Sequence, residues 1–130
     1  MKLVQGYPPN YEAIRKRFDI DGRNIIFAYG DKLFSPSGNE IPEHLMVHEE
    51  THERQQALMG VVAWWDRYLI DDEFRLSQEV EAYRNQYAFI RENLNRTERR
   101  RLLAFIVKDL CGPIYGNLVS KQEAENLITA

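Results

Sequence analysis

Apolar residues along this chain recur mostly at the spacing of an α-helix, and two segments show this most clearly. Between Pro42 and Gly60 no glycine or proline interrupts the chain, and these two residues suit the first turn and the end of a helix. We therefore predict a helix from about Glu43 to Met59. A second helix is predicted from an apolar stripe within about 40° of one direction, formed by Leu76, Val80, Tyr83, Tyr87 and Ile90.

Shorter patterns predict the remaining elements. A strand is expected from Asn24 to Tyr29, with a turn at Gly30-Asp31 and a return strand over Lys32 to Phe34. Further helices are predicted from Tyr11 to about Phe18, capped by Asn10, and from Val61 to Ile70. Another is predicted to run from a cap at Thr97 to about Leu110, and a last one follows Ser120, which forms a capping box with Glu123. The expected fold class is α+β, mainly helical with a small N-terminal β-sheet or hairpin, in one domain over residues 1–130.

Composition and charge narrow the classes of partner and compartment. The 130 residues carry a net charge of −3, so no general attraction to nucleic acid is expected. The single cysteine, Cys111, excludes an internal disulfide, suits a reducing compartment and is predicted to be a small buried residue near a helix end. We expect a cytoplasmic protein without a signal peptide or membrane span, and leave open a phage-encoded origin, a leaderless export route and the oligomeric state.

The most informative motif is His48-Glu49-Glu50-Thr51-His52, which is H-E-x-x-H. Residues i and i+4 lie on one face of a helix, so both imidazoles can reach one metal ion. Glu49 lies at the margin of that face, where it can hold a metal-bound water. The same stripe contains Leu45, Gln56 and Met59, so both histidines are predicted to face inward.

A catalytic zinc usually has three protein ligands, and no histidine follows His52 in the chain. The third ligand must then be a carboxylate, and the second predicted helix offers Glu79 and Glu81. Glu79 lies about 60° from the centre of the apolar stripe, whereas Glu81 lies about 140° away and points to solvent. Helix geometry therefore selects Glu79 as the third ligand.

The H-E-x-x-H motif, followed after 26 residues by Glu79-Val80-Glu81-Ala82-Tyr83, resembles the gluzincin metallopeptidases. In that clan the third zinc ligand is a glutamate on a later helix, often at the start of an E-x-x-A-D string. Glu79 and Ala82 match this string, and Tyr83 replaces the usual aspartate, which supports a zinc-bound histidine. The resemblance covers roughly residues 24–90 and implies a minimal zincin-like domain.

The resemblance implies a zinc-dependent peptidase in which His48, His52 and Glu79 hold Zn²⁺. Glu49 would act as general base towards a metal-activated water and pass the proton to the leaving amine. The clan also uses a tyrosine, histidine or arginine after the metal helix to stabilise the oxyanion. Tyr83 and Tyr115 are candidates for that role, and Tyr115 lies in a glycine-containing loop.

A strand before the metal helix often rims the cleft in zincins, so residues 24–34 form either a peptide-binding edge strand or a purely structural hairpin. The expected partner is a peptide or protein substrate. Two other metal arrangements are weaker: a His44/His48 pair lacks the glutamate between its members, and the Glu-x-x-His motif of di-iron bundles has no second copy. The main alternative function is a catalytically weak or inactive zincin-like domain, whose structural metal supports a protein-binding or regulatory module.

Overall fold

A computed structural model describes all residues, 1–130, and shows a mainly helical α+β fold, as predicted. The elements in chain order are β1 (Lys2–Val4), α1 (Tyr11–Arg17), β2 (Phe27–Tyr29), β3 (Lys32–Phe34), α2 (Glu43–Met59), α3 (Val61–Ile70), α4 (Asp72–Asn93), α5 (Arg96–Leu110), a 3₁₀ turn (Pro113–Tyr115) and α6 (Lys121–Thr129). None of the six helices combines the length and the apolarity needed to cross a membrane.

Helix α4 is the centre of the fold, because it packs against α2, α3, α5 and α6. One core cluster surrounds Trp64 and includes Phe74 of α4, while a second includes Tyr83 of α4 and the buried faces of α5 and α6. Glu79 lies between Phe74 and Tyr83 along the same helix. The predicted third ligand is therefore held between the two apolar cores.

The sheet has the strand order β1-β3-β2, with β1 parallel and β2 antiparallel to β3. The sequence predicted the β2–β3 hairpin but not β1, whose three residues are too few to show an alternating pattern. Strand β2 is also shorter than predicted and begins at Phe27. The residues before it, Ile25 and Ile26, leave the sheet and line a cavity beside the metal helix.

The outer edge of β2 is bonded to helices and not open to solvent. The carbonyl oxygen of Ala28 accepts hydrogen bonds from Nε2 of Gln56 (2.9 Å) and Nε1 of Trp65 (3.1 Å). The backbone N–H of Gly30 donates to Oε1 of Gln56 at 2.7 Å. The side-chain amide of Gln56 thus takes the place of a peptide group, and a substrate strand cannot pair with these atoms. These bonds favour the structural alternative for this hairpin.

Several predicted helix ends are confirmed and others need correction. Helix α2 ends at Gly60, and α6 begins with the predicted capping box of Ser120 and Glu123. The prediction that Thr97 caps α5 is wrong, because the side chain of Asn95 accepts the bond from the N–H of Glu98 and the helix begins at Arg96. Asn10 precedes α1 without a side-chain capping bond. Cys111, predicted to be buried, is half-buried because it lies at the C-terminal end of α5.

Replacing Gln56 with alanine removes both hydrogen bonds to β2 and leaves the N–H of Gly30 without a partner. Because unpaired polar groups in a partly buried site are costly, we expect the free energy of unfolding to fall by about 2 kcal/mol. Chemical denaturation of the two proteins measures the difference. As a control, Gln122→Ala on the exposed face of α6 should change stability by less than about 0.5 kcal/mol. Equal effects of the two substitutions would contradict the bridging role of Gln56.

Candidate metal centre

His48, His52 and Glu79, the three predicted ligands, converge at the α2–α4 interface. Nε2 of His48 lies 3.1 Å from Nε2 of His52 and 3.1 Å from Oε1 of Glu79. Nε2 of His52 lies 3.3 Å from the Glu79 carboxylate. All three residues are buried, so this group could hold a metal ion away from bulk water.

The spacing of these atoms suits one small cation. Zinc binds imidazole nitrogen and carboxylate oxygen at about 2.0–2.2 Å, and three ligand atoms roughly 3.2 Å apart can all lie at that distance from one ion. Glu81, the rejected carboxylate, is exposed and lies outside the ligand cluster, as helix geometry predicted. His44 also lies outside the cluster, so the alternative His44/His48 pair is not assembled.

The protonation of His52 follows from the orientation of Gln55. Nε2 of Gln55 donates to two acceptors, the carbonyl oxygen of Gln78 at 3.1 Å and the carboxylate of Glu81 at 2.7 Å. Its Oε1 therefore faces Nδ1 of His52, at 2.8 Å. Because an amide oxygen only accepts, Nδ1 carries a proton, and Nε2 of the neutral ring is left with a lone pair aimed at the cluster.

The same arrangement recurs at His48. Oε1 of Gln86 lies 3.0 Å from Nδ1 of His48, while Nε2 of Gln86 donates to Nδ1 of His44 at 2.9 Å. Both metal-facing Nε2 atoms are thus acceptors, and they lie beside the acidic oxygens of Glu79. Three lone-pair atoms in a buried site repel one another unless a cation lies between them. The polar groups around the ligands therefore fit a metal ion.

Tyr83 does not take the place of the aspartate that the resemblance would put there. Its ring packs edge-on against His48, with the ring centroids 4.4 Å apart. Gln86, three residues further along α4, orients His48 instead. Glu79 has its own partner, because the hydroxyl of Tyr68 donates to Oε2 at 2.7 Å.

Gln55, Gln86 and Tyr68 are partners of the ligands that were not predicted from the sequence. Gln55 follows His52 by three residues, one helical turn, which is a usable signal. Gln86 and Tyr68 meet the ligands only through the packing of α2, α3 and α4. No local pattern in the chain reveals those contacts.

Burial and mutual charge set the protonation of the metal-free cluster. Burial lowers the pKa of His52, but the neighbouring Glu79 carboxylate outweighs it and raises that pKa to about 9. Burial acts in the opposite direction on Glu79, yet the two imidazoles hold the pKa of its carboxyl well below the usual range. Without a metal, a proton on His52 therefore supplies the positive charge that Glu79 requires.

Glu49 differs from Glu79, the other buried carboxylate of the site. Its side chain is 6% exposed, lines the same cavity as the three ligands and makes no hydrogen bond to the protein. Burial raises the pKa of this carboxyl, although the two histidines partly oppose the shift. An unpartnered carboxylate beside three metal ligands is suited to hold water and to exchange protons with it.

The cavity beside the cluster has a volume of about 70 Å³, enough for a few water molecules. Tyr115 lines it together with the ligands, and its hydroxyl is 2.6 Å from that of Tyr83. Tyr83 lies behind Tyr115 and does not line the cavity. Burial raises the pKa of both phenols well above the usual value, so both stay protonated and can donate. Of the two predicted tyrosines, Tyr115 is the one with access to the cavity.

The hydrogen bond from Gln86 to His48 should matter for metal affinity. Replacing Gln86 with methionine keeps the volume but removes the acceptor that fixes the ring of His48, so we expect affinity for zinc to fall about 10–100-fold. Competition with a fluorescent chelator measures the dissociation constant. Gln122→Met, made on the exposed face of α6, serves as the control and should bind zinc as the unaltered protein does. Unchanged affinity in Gln86→Met would show that His48 needs no such support.

Metal affinity should also depend on pH in a direction set by His52. Its proton must leave before Nε2 can bind a metal, and with a folded-state pKa of about 9 that proton competes at every lower pH. We expect affinity to rise about tenfold per pH unit up to about pH 9, where one proton is displaced, and to level off above it. Chelator competition, corrected for protonation of the chelator, tests this. A flat profile between about pH 7 and 9 would contradict the assignment.

Comparison of the chain with family models, with curated proteins and with solved structures found no match in any of the three. The likeness to gluzincins therefore depends on the H-E-x-x-H…E motif and on the geometry of the site that these residues form.

Proposed function

We propose that this chain is a zinc-dependent peptidase that hydrolyses peptide bonds with a glutamate general base. The observation that carries the proposal is the position of Glu49, a buried carboxylate without a hydrogen-bond partner that lines the same cavity as His48, His52 and Glu79. A purely structural metal site has no use for a free carboxylate at this position, because Glu49 is not one of the three ligands.

The ligand set supports zinc among the divalent ions. Two imidazoles and one carboxylate are the donors of several catalytic zinc sites, whereas structural zinc sites are usually closed by four protein ligands. A zinc ion bound by His48, His52 and Glu79 supplies Lewis acidity, which makes water more acidic and polarises a carbonyl group. The hydrogen bonds from Gln55, Gln86 and Tyr68 hold the three ligands in the orientation that such an ion requires.

Glu49 has the protonation behaviour that a general base in hydrolysis needs. Its pKa is raised by burial, which brings it closer to neutral pH and makes the carboxylate a better proton acceptor. The carboxylate takes a proton from the attacking water and then gives it to the leaving amine. No other side chain near the cavity combines burial, a titratable oxygen and freedom from hydrogen bonds.

Tyr115 is the candidate donor to the oxyanion. Its phenol remains protonated and borders the cavity, and Tyr83 orients the hydroxyl from behind. Arg75 fixes the other end of the residue, because its Nε donates to the carbonyl oxygen of Tyr115 at 2.8 Å. A donor held at both ends loses little freedom when charge develops on the substrate oxygen.

The second candidate is a binding or regulatory module in which the metal has a structural role. The small size of the cavity favours it, because about 70 Å³ is well below the volume of typical ligand pockets. The number of ligands opposes it, since three protein ligands leave a coordination position open. The two candidates differ in how they depend on Glu49.

Replacing Glu49 with glutamine should abolish hydrolysis, with a loss of at least about 100-fold in kcat, because the amide cannot accept the proton. Zinc content should remain at one ion per chain, since Glu49 is not a ligand. The matched control is Glu50→Gln, the exposed neighbour, which should retain full activity. Cleavage of a random synthetic peptide library, read by mass spectrometry, and elemental analysis give the two measurements. A Glu49→Gln protein that still cleaves peptides would eliminate this mechanism.

A further inference from the structure

His44 lies outside the metal cluster but is connected to it through Gln86. Nε2 of Gln86 donates to Nδ1 of His44 at 2.9 Å, and Oε1 of the same amide accepts from Nδ1 of His48 at 3.0 Å. His44 is half-buried in the first turn of α2 and lines a surface groove between the start of α2, the end of α4 and the start of α5. The three side chains therefore form a hydrogen-bonded chain from the surface to a metal ligand.

This chain can run in two directions, because a neutral imidazole and an amide each have one donor side and one acceptor side. In the direction that the structure has, His48 carries its proton on Nδ1, and its Nε2 has a free lone pair. If the Gln86 amide turned over, its NH₂ group would face Nδ1 of His48, and the proton of that ring would have to be on Nε2. The proton would then point at Oε1 of Glu79, 3.1 Å away, and would block the position of a metal ion.

The nitrogen of His44 that faces Gln86 decides between the two directions. Burial lowers the pKa of His44 and the nearby Arg101 guanidinium lowers it further, so the ring stays neutral at neutral pH. A neutral ring with its proton on Nε2 accepts at Nδ1, and this acceptor holds the NH₂ group of Gln86 on the His44 side. The Gln86 amide makes no hydrogen bond other than those to His44 and His48.

We propose that His44 is a positioning residue of the metal centre, whose Nδ1 lone pair holds the Gln86 amide in the orientation that leaves Nε2 of His48 free for a metal ion. This inference rests on the metal-binding part of the proposed function and not on peptide hydrolysis. Gln86 is only 1% exposed, so bulk water does not replace His44 as the acceptor. A change at the surface end of the chain therefore acts on a buried ligand without contact with the metal.

The first test is a double-mutant cycle between His44→Leu and Gln86→Met, with zinc affinity measured by chelator competition. Leucine fills the space of the ring but accepts no hydrogen bond, so we expect the affinity to fall about fivefold, less than in Gln86→Met. In the Gln86→Met background, His44→Leu should have no further effect, because the chain is already interrupted there. Asn93→Leu, a change in the same surface groove, is the matched control and should bind zinc as the unaltered protein does. Additive losses in the double variant overturn the proposal.

Nitrogen NMR of the imidazole rings in the metal-free protein measures the position of the His48 proton directly. The chain has three histidines, so single variants assign the signals. We expect His48 to be protonated on Nδ1 in the unaltered protein and in Asn93→Leu, and to gain protonation on Nε2 in His44→Leu. His44→Asp, whose carboxylate only accepts, should restore both the Nδ1 proton and the zinc affinity. Asn93→Asp adds the same charge to the groove and should change neither.

The failure of this inference and the failure of the proposed function give different results. If the unaltered protein binds zinc and His44→Leu matches Asn93→Leu in affinity and in the position of the His48 proton, His44 has no positioning role and the proposed function stands. A fall in affinity with the His48 proton still on Nδ1 also overturns the inference, because the loss then has another structural cause. If the unaltered protein binds no zinc, the proposed function fails, and the proton position in the metal-free variants still decides the role of His44.

Discussion

The structure depends on the need of three converging acceptor atoms for a positive charge. His48, His52 and Glu79 direct lone pairs to one point between α2 and α4, and hydrogen bonds behind them fix that direction. In the metal-free protein a proton on His52 supplies this positive charge, and a bound metal ion would replace that proton. The register of the two helices matches this requirement, because it brings the Glu79 carboxylate to 3.1 Å from His48 and 3.3 Å from His52.

Two glutamines hold the histidine rings in position, and in each of them both the oxygen and the nitrogen of the side-chain amide make hydrogen bonds. Gln55 orients His52 and is anchored by Glu81, while Gln86 orients His48 and is anchored by His44. Where a carboxylate supports a metal-bound histidine, its negative charge makes the imidazole a stronger donor. Neutral amides donate less charge, so a metal held here keeps more of its Lewis acidity. With Tyr83 where the gluzincin string has aspartate, a metal site here would thus differ from those sites in electronic character and not only in shape.

The sequence was sufficient for the parts of the site that depend on one helix at a time. The spacing of His48 and His52 and the angular position of Glu79 follow from helix geometry alone, and the structure brings the three together. The partners Gln86 and Tyr68 depend on contacts between helices, which no local pattern contains. Strand β1 was missed because three residues carry no periodicity. The cap of α5 was placed at Thr97, although Asn95, two residues earlier, is the residue type more favoured at a helix cap.

The bridge from Gln56 to β2 has a consequence for the solution behaviour of the protein. An exposed strand edge can pair with the same edge of another molecule, and such pairing is a common start of aggregation. Here the amide of Gln56 occupies the Ala28 and Gly30 positions of that edge, on the helix that also carries both histidines. The helix that carries both histidines therefore also covers the β2 edge and keeps these positions from pairing with another molecule.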